Sequence, residues 1–301
     1  MNQQPLAHDE SSNQAFSTLK PKLEQWRKFN KKLISNKMAV FGGVIVIFYV
    51  IVALFGQQIA PYDPLAIDLA NKLQGPSAQH WMGTDDKGRD MLSRVIFGTK
   101  LSLGVGIVSV TIGAFFGIIL GLISGYYGKW IDTIIMRFID ILLAFPGILL
   151  ALAIVSALGA SLVNVMIAIG IFSIPTFARI VRGSTLGAKK MEYIDAIRAL
   201  GASDMKIIFV HILPNILSPI IVQGTLRLAT AILSAAALSF LGMGAQPPSP
   251  EWGAMLSGGR DFLWSAPHVA TFPGLAICFA VLGFNLLGDG LRDALDPRFQ
   301  K

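Results

Sequence analysis

Long charge-free apolar stretches alternate along the chain with short segments that gather most of its ionisable residues. Residues 38–60 carry no charge and are long enough to cross a bilayer, which takes about 20 apolar residues. Pro61, Asp63 and Pro64 end that run. From 101 to 127 no residue is charged, and Ser109, Gly113, Gly117, Gly121 and Gly125 fall four apart. On a helix this spacing makes one face without bulk, where a second helix can come close. Packing is the expected purpose, with a hinge as the lesser alternative. Residues 126–140, with Lys129, Asp132, Arg137 and Asp140, read as a turn. The uncharged stretch 141–178 would be roughly 57 Å long as one helix at 1.5 Å per residue. It is expected to break at Gly159-Ala160-Ser161 into a hairpin of two spans, glycine stopping one helix and serine starting the next. The pentapeptide Ala-Leu-Gly-Ala-Ser recurs at 199–203, where a second break is expected. A fifth span covers 207–241, kinked at Pro214 and Pro219, and a last one runs from 270 to 287. The pattern predicts an all-α membrane protein with six transmembrane helices.

The longest polar interruption in the C-terminal half begins at Met191. Met191, Ile194, Ile197 and Leu200 recur every third residue, so one side of a short helix is apolar while Glu192, Asp195 and Arg198 lie off it. Gly201 ends that helix, and Ser203 or Asp204 caps the next one. A short amphipathic helix held at a membrane surface between two spans is what a transporter would present to a soluble partner's groove. The plainer alternative is an ordinary interhelical loop. Further on, Gln223, Arg227, Thr230 and Ser234 line up as one polar stripe on an apolar helix, a candidate pore lining. A guanidinium near mid-membrane must face water, a partner or a ligand. Two readings of Arg227 stand: a structural pair with a carboxylate or carbonyls on a neighbouring helix, and a pore charge that meets a substrate carboxylate. In 242–269, Ser249, Pro250 and Glu251 make a helix start. Trp252, Met255, Leu256, Gly259, Phe262 and Leu263 form its apolar face, expected on the membrane surface or over the pore, with Trp252 and Trp264 at the interface. His268 is expected at the surface.

Composition agrees with this pattern: 53% of residues are hydrophobic, 14% are charged and the mean hydropathy is +0.60. A soluble chain carries about a quarter charged residues. The net charge of +7 sits on residues flanking the spans instead of in one patch, which points to lipid headgroups and away from nucleic acid. Lys20, Lys22, Arg27, Lys28, Lys31, Lys32 and Lys37 precede the first span, while Arg179, Arg182, Lys189, Lys190, Arg198 and Lys206 surround the 191–206 loop. By the positive-inside rule both groups are cytoplasmic, as is the end of the chain at Asp289, Arg292, Asp293 and Asp296, leaving 61–100 and 242–269 outside. Residues 1–19 read as a disordered polar tail and not as a signal peptide. The chain then divides into a tail and basic lead-in at 1–37, a first span at 38–60, an external loop at 61–100, a membrane core at 101–292 with its loop at 186–206, and a tail at 293–301. Cys278 is the single cysteine, so no internal disulfide forms.

Asp195-Ala196-Ile197, Gly201 and His211-Ile212-Leu213-Pro214 resemble the EAA loop of ATP-binding-cassette importer permeases: Glu-Ala-Ala, a Gly four residues on, then Ile-x-Leu-Pro. Asp195 stands for Glu, Ile197 for the second Ala and His211 for Ile. Gly83-Thr84-Asp85-Asp86-Lys87-Gly88-Arg89-Asp90, Gly244-Ala245-Gln246-Pro247-Pro248 and the closing run from Asn285 to Pro297 are similar to the dipeptide/oligopeptide permeases of the C-subunit type, relatives of glutathione and nickel permeases. The likeness covers roughly residues 38 to 298. It implies a type I importer transmembrane domain in the bacterial inner membrane. Its partners would be a sister permease, two ATP-binding subunits and an extracytoplasmic solute-binding protein, with ATP and magnesium bound by those subunits and no cofactor in this chain. It also implies that Glu192, Asp195, Ala196, Arg198 and Gly201 couple to the ATPase, and that the loops bearing Asp85, Asp86, Arg89 and Trp252 are candidates for docking the binding protein. The plainer alternative is that those loops pack on each other.

No His-Glu-x-x-His site, paired cysteines, Gly-x-Ser-x-Gly elbow or phosphate loop occurs in the sequence, and Gly183 to Lys189 has the wrong spacing for the last. An intramembrane hydrolase using Ser161 is disfavoured because His8, His80, His211 and His268 all fall outside the span centres. An ion-coupled transporter would carry mid-span acids, which are absent, and an exporter would not carry an EAA-type loop.

Overall fold

The computed structural model describes Arg27 and residues 29–295; the predicted tail at 1–19, Lys20, Lys22 and Lys28, and residues 296–301 lie outside the described residues. Among the described residues the chain is all-α, with a single isolated bridge between Thr84 and Asp90. Among the described residues the architecture is carried by α1 (Lys37–Ile59), α2 (Met91–Tyr127), α3 (Lys129–Ala144), α4 (Gly147–Leu158), α5 (Leu162–Ala188), α6 (Glu192–Ala199), α7 (Leu217–Phe240), α8 (Trp252–Gly259) and α9 (His268–Leu295). Among the described residues, five helical segments are long and apolar enough to cross a membrane, and α3 with α4, bent by 88°, makes six if the pair is one span.

The bend corrects the expected turn at 126–140. Residues 129–144 are helical, and the break falls at Phe145-Pro146. The ring of Pro146 pushes Phe145 out of the helical region, to φ −94° and ψ 137°, which ends α3. The break at Gly159 stands where expected, with φ +96° there and the Ser161 hydroxyl accepting from the Asn164 amide at 3.1 Å. α4 is only 12 residues, too short to span alone.

α2 starts ten residues earlier than its charge-free run, because the Asp90 carboxylate caps it by accepting from the Ser93 amide at 2.7 Å. At 37 residues it is roughly 55 Å long, well beyond a hydrocarbon core of about 30 Å. The fifth span is irregular in one place, not two. Pro214 has no N–H to donate, and the ladder widens into a π segment over Ile207–Ile212 before tightening through Leu213–Ile216. Pro219 sits in the first turn of α7, where a missing donor costs nothing, and α7 continues as one helix from Leu217 to Phe240.

Glycine controls the packing. The most extensive helix contact joins α2 to α5. A Cβ added at Gly113 would lie 2.5 Å from the Ser173 Cβ, at Gly117 2.5 Å from the Phe177 Cβ, at Gly121 2.7 Å from the Val181 Cβ and at Gly125 2.7 Å from the Thr185 Cβ. Gly42, Gly283 and Gly290 do the same for the pair α1 and α9. Without a hydrophobic drive between helices in lipid, such close van der Waals contact holds a bundle together. Gly117→Val should therefore destabilise the protein by about 1–3 kcal/mol through overpacking. A lowered unfolding temperature in detergent is the readout, and Gly104→Ala, with nothing within 4 Å, should not lower it.

Candidate functional site

α6 lies across the end of the bundle where α2 and α5 finish. Ile194 is fully buried among Leu122, Val181, Ile207 and Ile212, with Ile197 packed alongside. The other two members of the apolar row stand free: Met191 is 50% exposed and Leu200 87%. The row thus seats the helix by its centre and offers its ends outward. Glu192, Asp195, Ala196, Arg198 and Gly201 are all exposed, with Arg198 Nη1 3.1 Å from Asp195 Oδ1. The Tyr126 hydroxyl, joined by the Asp195 and Asp204 carboxylates, holds Arg198 above the ordinary guanidinium pKa, so it stays charged. Gly201 adopts φ +80°. Its amide reaches the Arg198 carbonyl at 3.0 Å and the Ala202 amide reaches the Ile197 carbonyl at 3.3 Å, the double closure of a Schellman motif.

Neither Ser203 nor Asp204 caps the following turn with its side chain; Asp204 instead accepts from the Tyr126 hydroxyl at 2.6 Å. Lys189 Nζ donates to the Tyr126 carbonyl. Beneath them Arg182 grips Asp132 with two bonds of 2.5 and 2.6 Å, and the Ser124 hydroxyl donates to the same carboxylate at 2.5 Å. The ends of α2, α3 and α5 are thereby tied at the base of the loop. Reading 126–140 as a turn concealed this tie; on a helix, Asp132 faces the α5 residue Arg182.

The polar stripe exists on α7, with Thr230 exposed and Gln223, Arg227 and Ser234 half-buried. Arg227 donates from Nη2 to the Thr176 hydroxyl on α5. Among the described residues no carboxylate pairs with it. A neutral hydroxyl thus stands where the structural reading placed a carboxylate or carbonyls. Thr176 escaped notice because it lies in an uncharged run, although Arg179 three residues on marks the same face.

The family model of the binding-protein-dependent transport system inner membrane component matches residues 117–301, and that of the N-terminal TM domain of oligopeptide transport permease C matches 24–76. The chain belongs to this family of permeases. It is 53% identical to the dipeptide transport system permease protein DppC of Alkalihalophilus pseudofirmus, over 91% of this chain and 90% of that one. It is 54% identical to the glutathione transport system permease protein GsiD of Escherichia coli O6:K15:H31, over 91% of each. The fold matches a chain of the inward-facing MetNI methionine ABC transporter with a TM-score of 0.55 and 21% identity, covering 68% of this chain and 98% of that one.

At the opposite end of this permease, the segment 61–90 is pinned to α2 by buried charge. Asp85 Oδ2 lies 2.6 Å from Arg89 Nε and 3.4 Å from Arg94 Nε, and Arg94 also donates to the Pro64 carbonyl at 2.9 Å. His80 meets Asp90 at 2.9 Å. His268, expected at the surface, is buried with Nε2 3.0 Å from the Thr84 carbonyl oxygen. Trp252 is fully buried and donates to the Val95 carbonyl at 3.0 Å, so it is part of the core and not of an interface belt, whereas Trp264 is entirely exposed. Glu251 caps α8 by accepting from the Gly253 and Ala254 amides at 3.0 and 2.9 Å. Of the four docking candidates Asp85, Asp86, Arg89 and Trp252, only Asp86 presents an exposed side chain; the other three are buried in packing within the chain.

Asp85→Asn would leave Arg89 and Arg94 buried without their shared counter-charge, at a cost of about 3–5 kcal/mol. Accelerated proteolysis between 61 and 90 would report it. At Gly201 nothing lies within 4 Å, so the penalty for a side chain is purely one of backbone conformation. Gly201→Ala should cost about 1–2 kcal/mol and speed hydrogen exchange over 192–206, with Gly201→Asn milder.

Proposed function

We propose that this chain is the permease half of an ATP-driven importer of short peptides, glutathione among them, in a bacterial inner membrane. The observation that carries the coupling is the exposed α6, seated by Ile194 on the bundle with Met191 and Leu200 left uncovered. An amphipathic helix with free ends is a shape that a groove on a soluble subunit can receive. The chain has no phosphate loop, so hydrolysis belongs to two ATPase partners. Closure of those subunits would press on Glu192, Asp195, Ala196, Arg198 and Gly201, and the tie of Asp132 to Arg182 and Ser124 would pass the motion to α2, α3 and α5. A sister permease completes the pore on the open faces of α5 and α7, where Gln223, Arg227, Thr230 and Ser234 lie. A solute-binding protein docks at the opposite end, where Asp86 and Trp264 are exposed. The basic residues around α6 and before α1 support an orientation with both termini and α6 in the cytoplasm. The cargo class rests on the relatives at 53 and 54% identity, one named for dipeptide and the other for glutathione.

Uptake of labelled dipeptide, glutathione, longer peptide and nickel ion, in cells with and without the chain and with ATP depleted in parallel, tests this reading. Loss of ATP-dependent dipeptide or glutathione uptake alone is the expected outcome; loss of nickel uptake instead would replace the cargo. Gly201→Asp should leave ATP hydrolysis running while uptake falls, and unchanged uptake would remove the coupling role from this loop.

A further inference from the structure

We infer that Arg227 and Thr176 form a station in the passage that receives the free carboxylate of the cargo, an assignment that rests on the importer reading above. Arg227 sits near the middle of the 24-residue α7, where a charge persists only against water, a counter-charge or a ligand. Among the described residues its guanidinium makes one hydrogen bond, to the Thr176 hydroxyl, and no carboxylate neutralises it. A guanidinium has five N–H donors in a planar fork, so most of them remain for another group. The Thr176 contact holds one arm of that fork against α5.

The surroundings favour an anion. On α7 the stripe is open, Thr230 exposed and Gln223 and Ser234 half-buried, while on α5 Thr176 is followed on the same face by Arg179. Arg179 is paired with Asp140 at 2.7 Å, but both side chains are about half exposed, 54% and 51%, so that pair is accessible to water and exchangeable. The faces of α5 and α7 that meet at Arg227 and Thr176 thus carry two cations, and the one acid paired with them, Asp140, comes from α3. A carboxylate satisfies the guanidinium fork with two parallel bonds, which a cation or an uncharged amide cannot do. Short peptides with a free C-terminus carry that group.

The test uses the assembled complex with Cys278→Ala and Ser234→Cys, labelled by a negatively charged sulfonatoethyl methanethiosulfonate or a positively charged trimethylammonioethyl methanethiosulfonate. With each rate divided by that reagent's rate toward a small thiol in solution, the anionic reagent should be favoured about tenfold. Arg227→Gln should abolish the preference and Arg227→Lys should retain part of it. Added dipeptide should slow the anionic reaction, and the same dipeptide as its C-terminal amide should not. Equal normalised rates for the two reagents would mean that a carboxylate of the neighbouring permease already neutralises Arg227, and would overturn the station. Absence of labelling would show that the stripe does not meet water, with the same result. Protection by both peptides, or by neither, would overturn the carboxylate assignment. The reagent ratio with Arg227 intact decides the case even if Arg227→Gln does not assemble. Peptide uptake without anionic preference would sink the station and leave the importer standing; the preference without peptide uptake would do the reverse.

Discussion

Helices α2 and α5 approach until glycine on one meets side chains and backbone of the other, and the rest of the molecule hangs from that contact. Gly113, Gly117, Gly121 and Gly125 leave no room for a methyl group against Ser173, Phe177, Val181 and Thr185. In lipid, where burying apolar area between helices gains little, contact at this range is a principal source of association. It also makes the pair stiff. Because α5 leads directly into the loop that carries α6, a force applied to α6 reaches a braced element instead of a free helix end.

Charge is distributed over the fold according to its task. At one end Asp85, Arg89 and Arg94 are removed from water together and hold the 61–90 segment on the start of α2, where mutual neutralisation makes their burial tolerable. At the base of the loop, Asp132 takes both arms of Arg182 and the Ser124 hydroxyl, a tie placed across three helices. On the open faces of α5 and α7 the arrangement is the opposite. Among the described residues Arg227 has only a hydroxyl, and the Arg179–Asp140 pair stands half in the open. The ends are closed by satisfied charge, while the middle keeps an unsatisfied one.

Apart from 141–158, which breaks at Phe145-Pro146, the spans and the loop helix were legible because their signals are local. The glycine spacing from 113 to 125, the row of Ile194 and Ile197, and Gly201 as a terminator each depend on a few neighbouring residues, and the structure carries them as read. Where expectation and structure differ, the deciding partner is distant in sequence. Residues 126–140 looked like a polar turn because Lys129, Asp132, Arg137 and Asp140 cluster there; Arg182 and Arg179, on α5, pair with the two acids. Trp252 and His268 looked like surface residues because their loop is external to any span, yet the chain folds Val95 and Thr84 against them.

The sequence by itself determined which stretches enter lipid, since transfer of apolar length and exclusion of charge are properties of each segment alone. It determined equally the amphipathic character of α6 and the presence of a costly arginine in α7. Only the tertiary structure decided which polar groups are consumed inside the chain and which remain for something else. Asp85, Arg89 and Trp252 are spent on internal contacts, whereas Arg227 meets Thr176 and, among the described residues, nothing acidic. That division is one of distance between side chains far apart in the chain, and distance is set only when the helices pack.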